Sequence, residues 1–389
     1  MQSATIRPAR LFTVEEANAT LPLVKAITLD LQRLARDLAE RKQRLDSLGR
    51  GRKPDQGDPY QDEVEQVQAE LDEDSSRLEA YVEELRELGA EPKGLAEGLV
   101  EGPRVLVSGP PLTVTGGHLW YMGGEADGVD AVRSRVRDMV KQGADFIKIA
   151  ASGGSTSTSD PYRAAYSAEE LNAIVEEAHN RDRPVLAHCR CTDAINLALD
   201  AGVDSILHCA FYDNDGSYRF DQPTADRLAA SEVWLNPTMG LGNANRELLI
   251  KIKSERDLTA EEDERLERST VSGANSLAQF SALVKAGVKL VGGSDCGWSY
   301  YPFGDFQGEI ISLHNAGLSR IDAIHAGTRS PAAALGISDT IGTVEVGKEA
   351  DLLVVNGDPS QDLESLRDVA AVFKAGKRVA TNRERAALG

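Results

Sequence analysis

Apolar positions follow two different rhythms along this chain. Between residues 13 and 48 they recur at alternating steps of three and four. Val24, Ile27, Leu31, Leu34, Leu38, Leu45 and Leu48 fall on one seam, interrupted by Arg41. A second seam holds Val64, Val67, Leu71, Leu78, Tyr81, Leu85 and Leu88 and is interrupted by Asp74. This is the heptad spacing of helices that pack side by side. Between the seams lies GRGRKPDQGDPY, whose Gly and Pro residues stop a helix and permit a reversal. The pattern predicts a coiled-coil-like antiparallel helical hairpin over residues 1–98. A fold-back there sets Arg41 opposite Asp74. Either the two pair and define the register, or both sit at a solvated edge.

Beyond residue 98 the rhythm changes to short β-branched runs alternating with helical stretches. The runs read as strands are 105–107, 146–149, 185–187, 205–207, 233–235 and 289–291. Helices fit between them over 129–142, 168–180, 192–201 and 223–230, with a long polar helical stretch over 246–286. Near-continuous apolar strands separated by helices predict a parallel sheet with both faces covered. Residues 99–336 are therefore assigned to an α/β barrel-like unit. A closed (β/α)8 barrel takes about 250 residues, but only six strands are counted here. An incomplete barrel leaves two open edges. Either the hairpin or a second subunit covers them, so a homo-oligomer is expected. Residues 337–389, with GTVEVGKEADLLVVNGDP and VAAVFKAGKRV, predict a small β-subdomain punctuated by Gly, Asp and Pro turns.

Composition narrows the function classes. Of 389 residues, 41% are hydrophobic, enough for a large core and against dominant disorder. Lys and Arg total 43 against 62 Asp and Glu, a net charge of −19. Such a surface repels phosphate backbones and anionic lipid, and no local basic patch offsets it. No run of about 18 apolar residues is present to span a bilayer. The opening MQSATIRPARLFTVEE lacks the apolar core of a secretory signal. Four cysteines do not make a disulfide scaffold at this length, which points to a reducing cytoplasm.

The candidate chemistry lies at strand ends. His188 closes the run PVLAH, His208 closes DSILH, Asp295 closes KLVGGSD, and Lys148 lies within ADFIKIA. In a parallel barrel the C-terminal strand ends form the active face. Each residue also has a plainer reading: a hydrogen-bonded core histidine, a lysine reaching along its stem to water, or an aspartate capping the next helix. Four such side chains at one end of one sheet are hard to explain independently. Imidazole and carboxylate are zinc's ligands in catalytic sites. Cys189, Cys209 and Cys296 each follow one of these residues, and strand alternation points them away from the mouth.

Between about residues 101 and 379 the chain resembles the metal-dependent amidohydrolase superfamily, close to its imidazolonepropionase and Xaa-Pro dipeptidase branch. GPRVLVSGPPLTVTGGH, GADFIKIAASGG, VLAHCR, GVDSILHCAF, VWLNPT, LVGGSD and GTVEVGKEADLLVVNGDP carry the likeness in the family's order. The resemblance implies a metal-dependent hydrolase that cleaves a C–N bond of a small amide, dipeptide or cyclic amide by attack of metal-bound hydroxide. It implies that Lys148 takes up CO2 as a metal-bridging carbamate and that His188 and His208 are metal ligands. Asp295 would be both a ligand and the group that moves the proton.

Tyr212 matches a position that contacts the scissile carbonyl, and Arg190 stands where it can pair with a substrate carboxylate. Trp298, Tyr300, Tyr301 and Phe303 either wall the pocket or pack. The family's strand-one His-x-His triplet is absent. That leaves the carbamate of Lys148, His188 and His208 as a three-ligand set for one zinc ion rather than two, with His118 as a weaker substitute. The loss also keeps open an alternative: a catalytically impaired relative that serves assembly or partner binding. Residues 1–98, through RLFTVEEANATLPLVKAI, resemble an uncharacterised bacterial helical-hairpin family.

Overall fold

The computed structural model describes residues 59–87, 104–297, Tyr301 and 303–379, with six helical positions between Leu23 and Leu34. The chain divides at residue 104 into two compact units.

In the first unit, α1 spans Pro59–Glu87. Leu71, Leu78 and Leu85 are buried at heptad spacing, as the second seam requires. Leu85 joins Ile27 and Leu31 in a small apolar cluster, with Tyr81 and Val82 packed against it. Contact of this kind is what a fold-back of two helices would make. The reversal itself, and Arg41, lie outside the described residues. Asp74 accepts a hydrogen bond from Arg77 at 2.9 Å, one helical turn away.

The second unit is built on four parallel strands in sequential order: β1 (Ile147–Ala150), β2 (Val185–Cys191), β3 (Ser205–Tyr212) and β4 (Trp234–Asn236). Helix α2 (Val129–Lys141) precedes β1, and the crossovers are α3 (Ala168–His179), α4 (Thr192–Ala201) and α5 (Gln222–Ala230). Each buries a stripe at helical spacing, such as Val132, Val136 and Met139 on α2 or Leu171, Ile174 and Ala178 on α3. Together with Ile147, Ile149, Val185 and Ile206 these form one continuous core. Each fully buried Ile or Leu there stabilises the fold by about 1.5–3 kcal/mol.

The expected outer strands are reduced to single parallel bridges. Leu112 pairs with Ile149 on one side, and Leu290 pairs with Leu235 on the other. The first of these replaces the strand expected at 105–107. Val105 and Val107 are exposed, so they have no core to enter, whereas Leu112 is fully buried. The backbone of Val107 is held instead by Asp145, which accepts from Val107 N–H at 2.8 Å.

The long polar stretch after β4 is two helices, α6 (Met239–Glu255) and α7 (Ala260–Ala286). They are followed by α8 (Phe306–Asn315), α9 (Arg320–Ala326) and α10 (Arg329–Ala334). The chain then forms an antiparallel three-stranded sheet, β5 (Leu352–Val355), β6 (Val369–Lys374) and β7 (Lys377–Val379). Among the described residues no helix is long and apolar enough to cross a membrane.

Candidate active site

Strand alternation sets the first element of the site. In β1 the flanking Ile147 and Ile149 are fully buried, while Lys148 between them is half-buried on the opposite face. In β2, His188 stands opposite Ala150, and in β3 His208 stands opposite Cys189. The β2–β3 register then slips between Cys189 and Cys191. His208 and Cys209 take φ of 65° and 48°, a left-handed pair inside a strand. The irregularity begins directly after the Cys189–His208 pair, at the end of the strand where His208 sits. Thr238 and Asp295 are left-handed as well, with φ of 52° and 51°. Such conformations cost on the order of 1 kcal/mol or more each and gather where geometry serves function.

Three imidazoles line up at this end of the sheet. The ring centroids of His118 and His188 are 4.6 Å apart, as are those of His188 and His208. His188 Nε2 lies 3.0 Å from the carbonyl oxygen of Gly153. A carbonyl only accepts, so this nitrogen carries the proton and Nδ1 keeps its lone pair. His208 Nδ1 lies 2.6 Å from the Thr238 hydroxyl, a group that can donate or accept. His118 Nδ1 meets the Thr156 hydroxyl at 3.0 Å. The backbone at Gly154 lies against the His118 ring, and a Cβ there would come within 2.6 Å of it.

Electrostatics keep these rings neutral. Burial, aided by nearby Lys148 and Arg190, lowers His118 to about 4. Burial lowers His188 and His208 well below the usual histidine range, with Lys148 adding to the effect on both. Lys148 is half-buried by accessible surface, yet enough protein surrounds its ammonium that desolvation lowers it to about 8, against the pull of Asp295 and Cys189. Asp295 is exposed by accessible surface, but the surrounding walls hold its carboxyl above the ordinary range, with Lys148 opposing. The lysine and aspartate therefore sense one another across the site.

A cavity of about 400 Å3 opens beside these strand ends, lined by Arg190, His208, Tyr212, Tyr218, Thr238 and Arg265 among others. Of the four strand-end candidates only His208 is a lining residue. The Arg190 guanidinium lies 5.8 Å from the centroid of the Tyr212 ring. Its Nε is buried without a hydrogen-bond partner. Tyr212 also meets Tyr162 edge-on at 5.5 Å. Of the aromatics after Asp295, Tyr301 is a core residue whose hydroxyl donates to Asp305 O at 2.8 Å. Phe303 is exposed, and Trp298 and Tyr300 lie outside the described residues. Cys189 and Cys209 are buried, and Cys296 is half-buried.

Sequence reasoning did not single out Thr238, Arg265 or Glu309. Glu309, on α8, is fully buried, and its Oε2 accepts from Gly240 N–H at 2.5 Å. Burial raises its carboxyl to about 7, against the backbone N–H groups that lower it. An acidic residue in a helix otherwise reading FQGEIISLHN carries no sequence signal of such a role.

Among the described residues no three His, Cys, Asp or Glu side chains are placed to hold a metal ion. A third donor beside His188 and His208 therefore has to be of another kind, such as an oxygen carried on Lys148. The donor chemistry fits that arrangement. Both imidazoles are neutral, His188 with its Nδ1 lone pair free, and a lysine lowered to about 8 has a larger share of neutral amine near pH 7, the form that reacts with CO2, than an ordinary lysine.

The amidohydrolase family model matches residues 81–379. This chain belongs to the amidohydrolase family. A family of uncharacterised conserved proteins matches residues 10–110. Ochratoxinase from Aspergillus niger is 30% identical over 264 residues, which cover 65% of this chain and 50% of that protein. The chain thus spans half the length of this curated relative.

Among solved structures, a Xaa-Pro dipeptidase with methionine bound in its active site aligns with a TM-score of 0.61. The identity is 27% over 72% of this chain and 69% of that one. A putative prolidase from Bifidobacterium longum aligns with a TM-score of 0.59 at 30% identity, over 74% of this chain and 70% of the other. The likeness to these neighbours assigns the matched part of the chain a TIM-barrel-like α/β fold.

Proposed function

We propose that this chain is a metal-dependent hydrolase that cleaves the C–N bond of a small amide, dipeptide or cyclic amide. The observation that carries the reading is the convergence of Lys148 with the His188 and His208 imidazoles beside a 400 Å3 cavity. Family membership and the names of the relatives, an ochratoxinase and a Xaa-Pro dipeptidase, support it.

One zinc ion would be held by Lys148, as its carbamate, with His188 and His208, and would supply Lewis-acid polarisation of the scissile carbonyl and acidification of water. Asp295, close enough to sense Lys148, takes the proton of the attacking water and passes it to the departing nitrogen. Tyr212 orients the carbonyl from the cavity wall. The Arg190 guanidinium, with an unpaired buried Nε, receives a carboxylate on the substrate.

Residues 99–336 form the catalytic unit in this reading, with residues 337–389 as its β-subdomain and residues 1–98 as a helical hairpin. The incomplete sheet leaves edges for a second copy to cover, so the working form is a homo-oligomer. Low cysteine usage fits a cytoplasmic setting.

Two features favour a second reading, an impaired relative that serves assembly. The His-x-His triplet is absent from the sequence, and no unmodified three-donor group is present among the described residues.

Elemental analysis of the protein purified with zinc and bicarbonate separates the two. About one zinc per chain, lost in His188→Ala and in His208→Ala, together with turnover of an amide or dipeptide, is the expected result. A folded wild-type protein that retains no metal selects the second reading.

A further inference from the structure

The N-terminus of α6 lacks a cap from its own side chain. Ser167 and Thr259 cap their own helices through the side-chain oxygen, each within a capping box. Thr238 occupies the same position on α6 and makes no side-chain cap. Its hydroxyl instead meets His208 Nδ1 at 2.6 Å. The first turn of α6 contains no acidic residue to take over. The missing acceptor comes from another helix. Glu309 on α8 is fully buried and accepts from Gly240 N–H at 2.5 Å. The backbone N–H groups of Met239 and Thr238 also act on its carboxyl.

The approach is close enough to require glycine at the receiving end. A Cβ at Gly240 would lie 2.7 Å from the Tyr301 hydroxyl and 3.1 Å from Glu309 Oε2. One turn further along both helices, Asn243 Nδ2 donates to the Ser312 hydroxyl at 2.8 Å. This second tie joins α6 to α8 without touching the helix end.

We propose that Glu309 is a positioning residue for His208. By capping α6 from α8, it releases the Thr238 hydroxyl from capping and holds it in place to receive His208 Nδ1–H. The imidazole is thereby kept in the tautomer whose Nε2 lone pair is free. Thr238 is left-handed (φ 52°, ψ 38°), whereas the capping Ser167 and Thr259 are extended; without Glu309 the Thr238 backbone is free to relax to that capping form, and its hydroxyl would turn toward the N–H groups of α6 and abandon the ring. Fixing a ring through the nitrogen that does not face the reacting centre is how an outer partner sets imidazole orientation and basicity. The inference rests on the reading of His208 as a site residue, but it concerns a geometry that exists without any ion.

The test is the His208 tautomer in the metal-free full-length chain, read from long-range 15N–1H spectra of 15N-histidine-labelled protein, with His208→Ala providing the assignment. Wild type is expected to show a single tautomer protonated at Nδ1. Thr238→Val, which removes the hydroxyl, gives a mixture of tautomers. Glu309→Ala gives the same mixture although the hydroxyl is still present, and Glu309→Gln, whose amide oxygen still accepts from Gly240, restores the single form. Ser312→Ala loosens the other tie between the helices and leaves the tautomer unchanged.

A folded Glu309→Ala protein with a single Nδ1–H tautomer overturns the proposal. So does a wild-type ring protonated at Nε2, or a Ser312→Ala protein that matches Glu309→Ala. Should Glu309→Ala not fold, Glu309→Asp, one methylene short of Gly240, takes its place with the same expectation. Zinc titration of the same proteins tests the functional reading separately. A roughly tenfold loss of affinity is expected for Glu309→Ala and Thr238→Val. Wild type that binds no zinc but obeys the tautomer pattern refutes the metal reading and leaves the positioning role standing.

Discussion

At the scale of single residues, the site is shaped as much by where backbone lies as by which side chains are present. The main chain at Gly154 touches the His118 ring, so Gly154→Ala must displace that ring or the loop. Overpacking of this kind is expected to destabilise the protein by about 1–3 kcal/mol in urea unfolding. Arg190 makes a sharper functional prediction. Arg190→Met is expected to raise KM by about 10–100-fold for a substrate that carries a carboxylate, since charge-assisted hydrogen bonds contribute about 1.5–3 kcal/mol. A neutral amide should be unaffected, and steady-state kinetics on a matched substrate pair would expose any error. As candidates, Lys148, His188, His208 and Asp295 were legible in the sequence because each closes or interrupts an apolar run. Thr238 and Glu309 were not. A threonine before a helix reads as its cap, and only the fold reveals that its hydroxyl is engaged elsewhere.

At the scale of elements, the helix ends carry the clearest electrostatics. Glu262 closes the capping box with Thr259 at the start of α7 and pairs with Arg256. The Arg256 guanidinium, followed by the Thr259 backbone N–H, lowers its carboxyl from the ordinary glutamate value to about 2. A depressed folded-state pKa means stability that is present above the unfolded glutamate value and lost as pH falls toward about 2. Glu262→Gln is therefore expected to lower the melting temperature at pH 7 and to converge with wild type near pH 2. Parallel melting curves that differ equally at both pH values would contradict the assignment. The crossover helices were predicted closely, because 3.6-residue spacing is a local property. The strand expected at 105–107 was misplaced. Its β-branched residues satisfy the local pattern, but burial falls on Leu112 after Pro110 and Pro111.

At the scale of the whole molecule, two family models share the chain and overlap between residues 81 and 110. The parallel sheet has four full strands, with single-bridge partners at Leu112 and Leu290 on its two sides. Edges so thinly covered favour self-association. Light scattering coupled to size exclusion is expected to give a mass of at least twice that of one chain, and a well-folded monomer at micromolar concentration would count against it.

The sequence alone determined the alternation of strand and helix, the change of rhythm near residue 98 and the identity of the chemical groups at the strand ends. Periodicity and residue chemistry are written locally. Only the tertiary structure decided that His208 is left-handed beside a register slip, that the Thr238 hydroxyl meets the ring rather than its helix, and that a buried carboxylate 69 residues further along the chain than Gly240 accepts from the N-terminus of α6. Those features depend on which backbone donors remain unsatisfied once the elements pack, and that is settled by long-range contact.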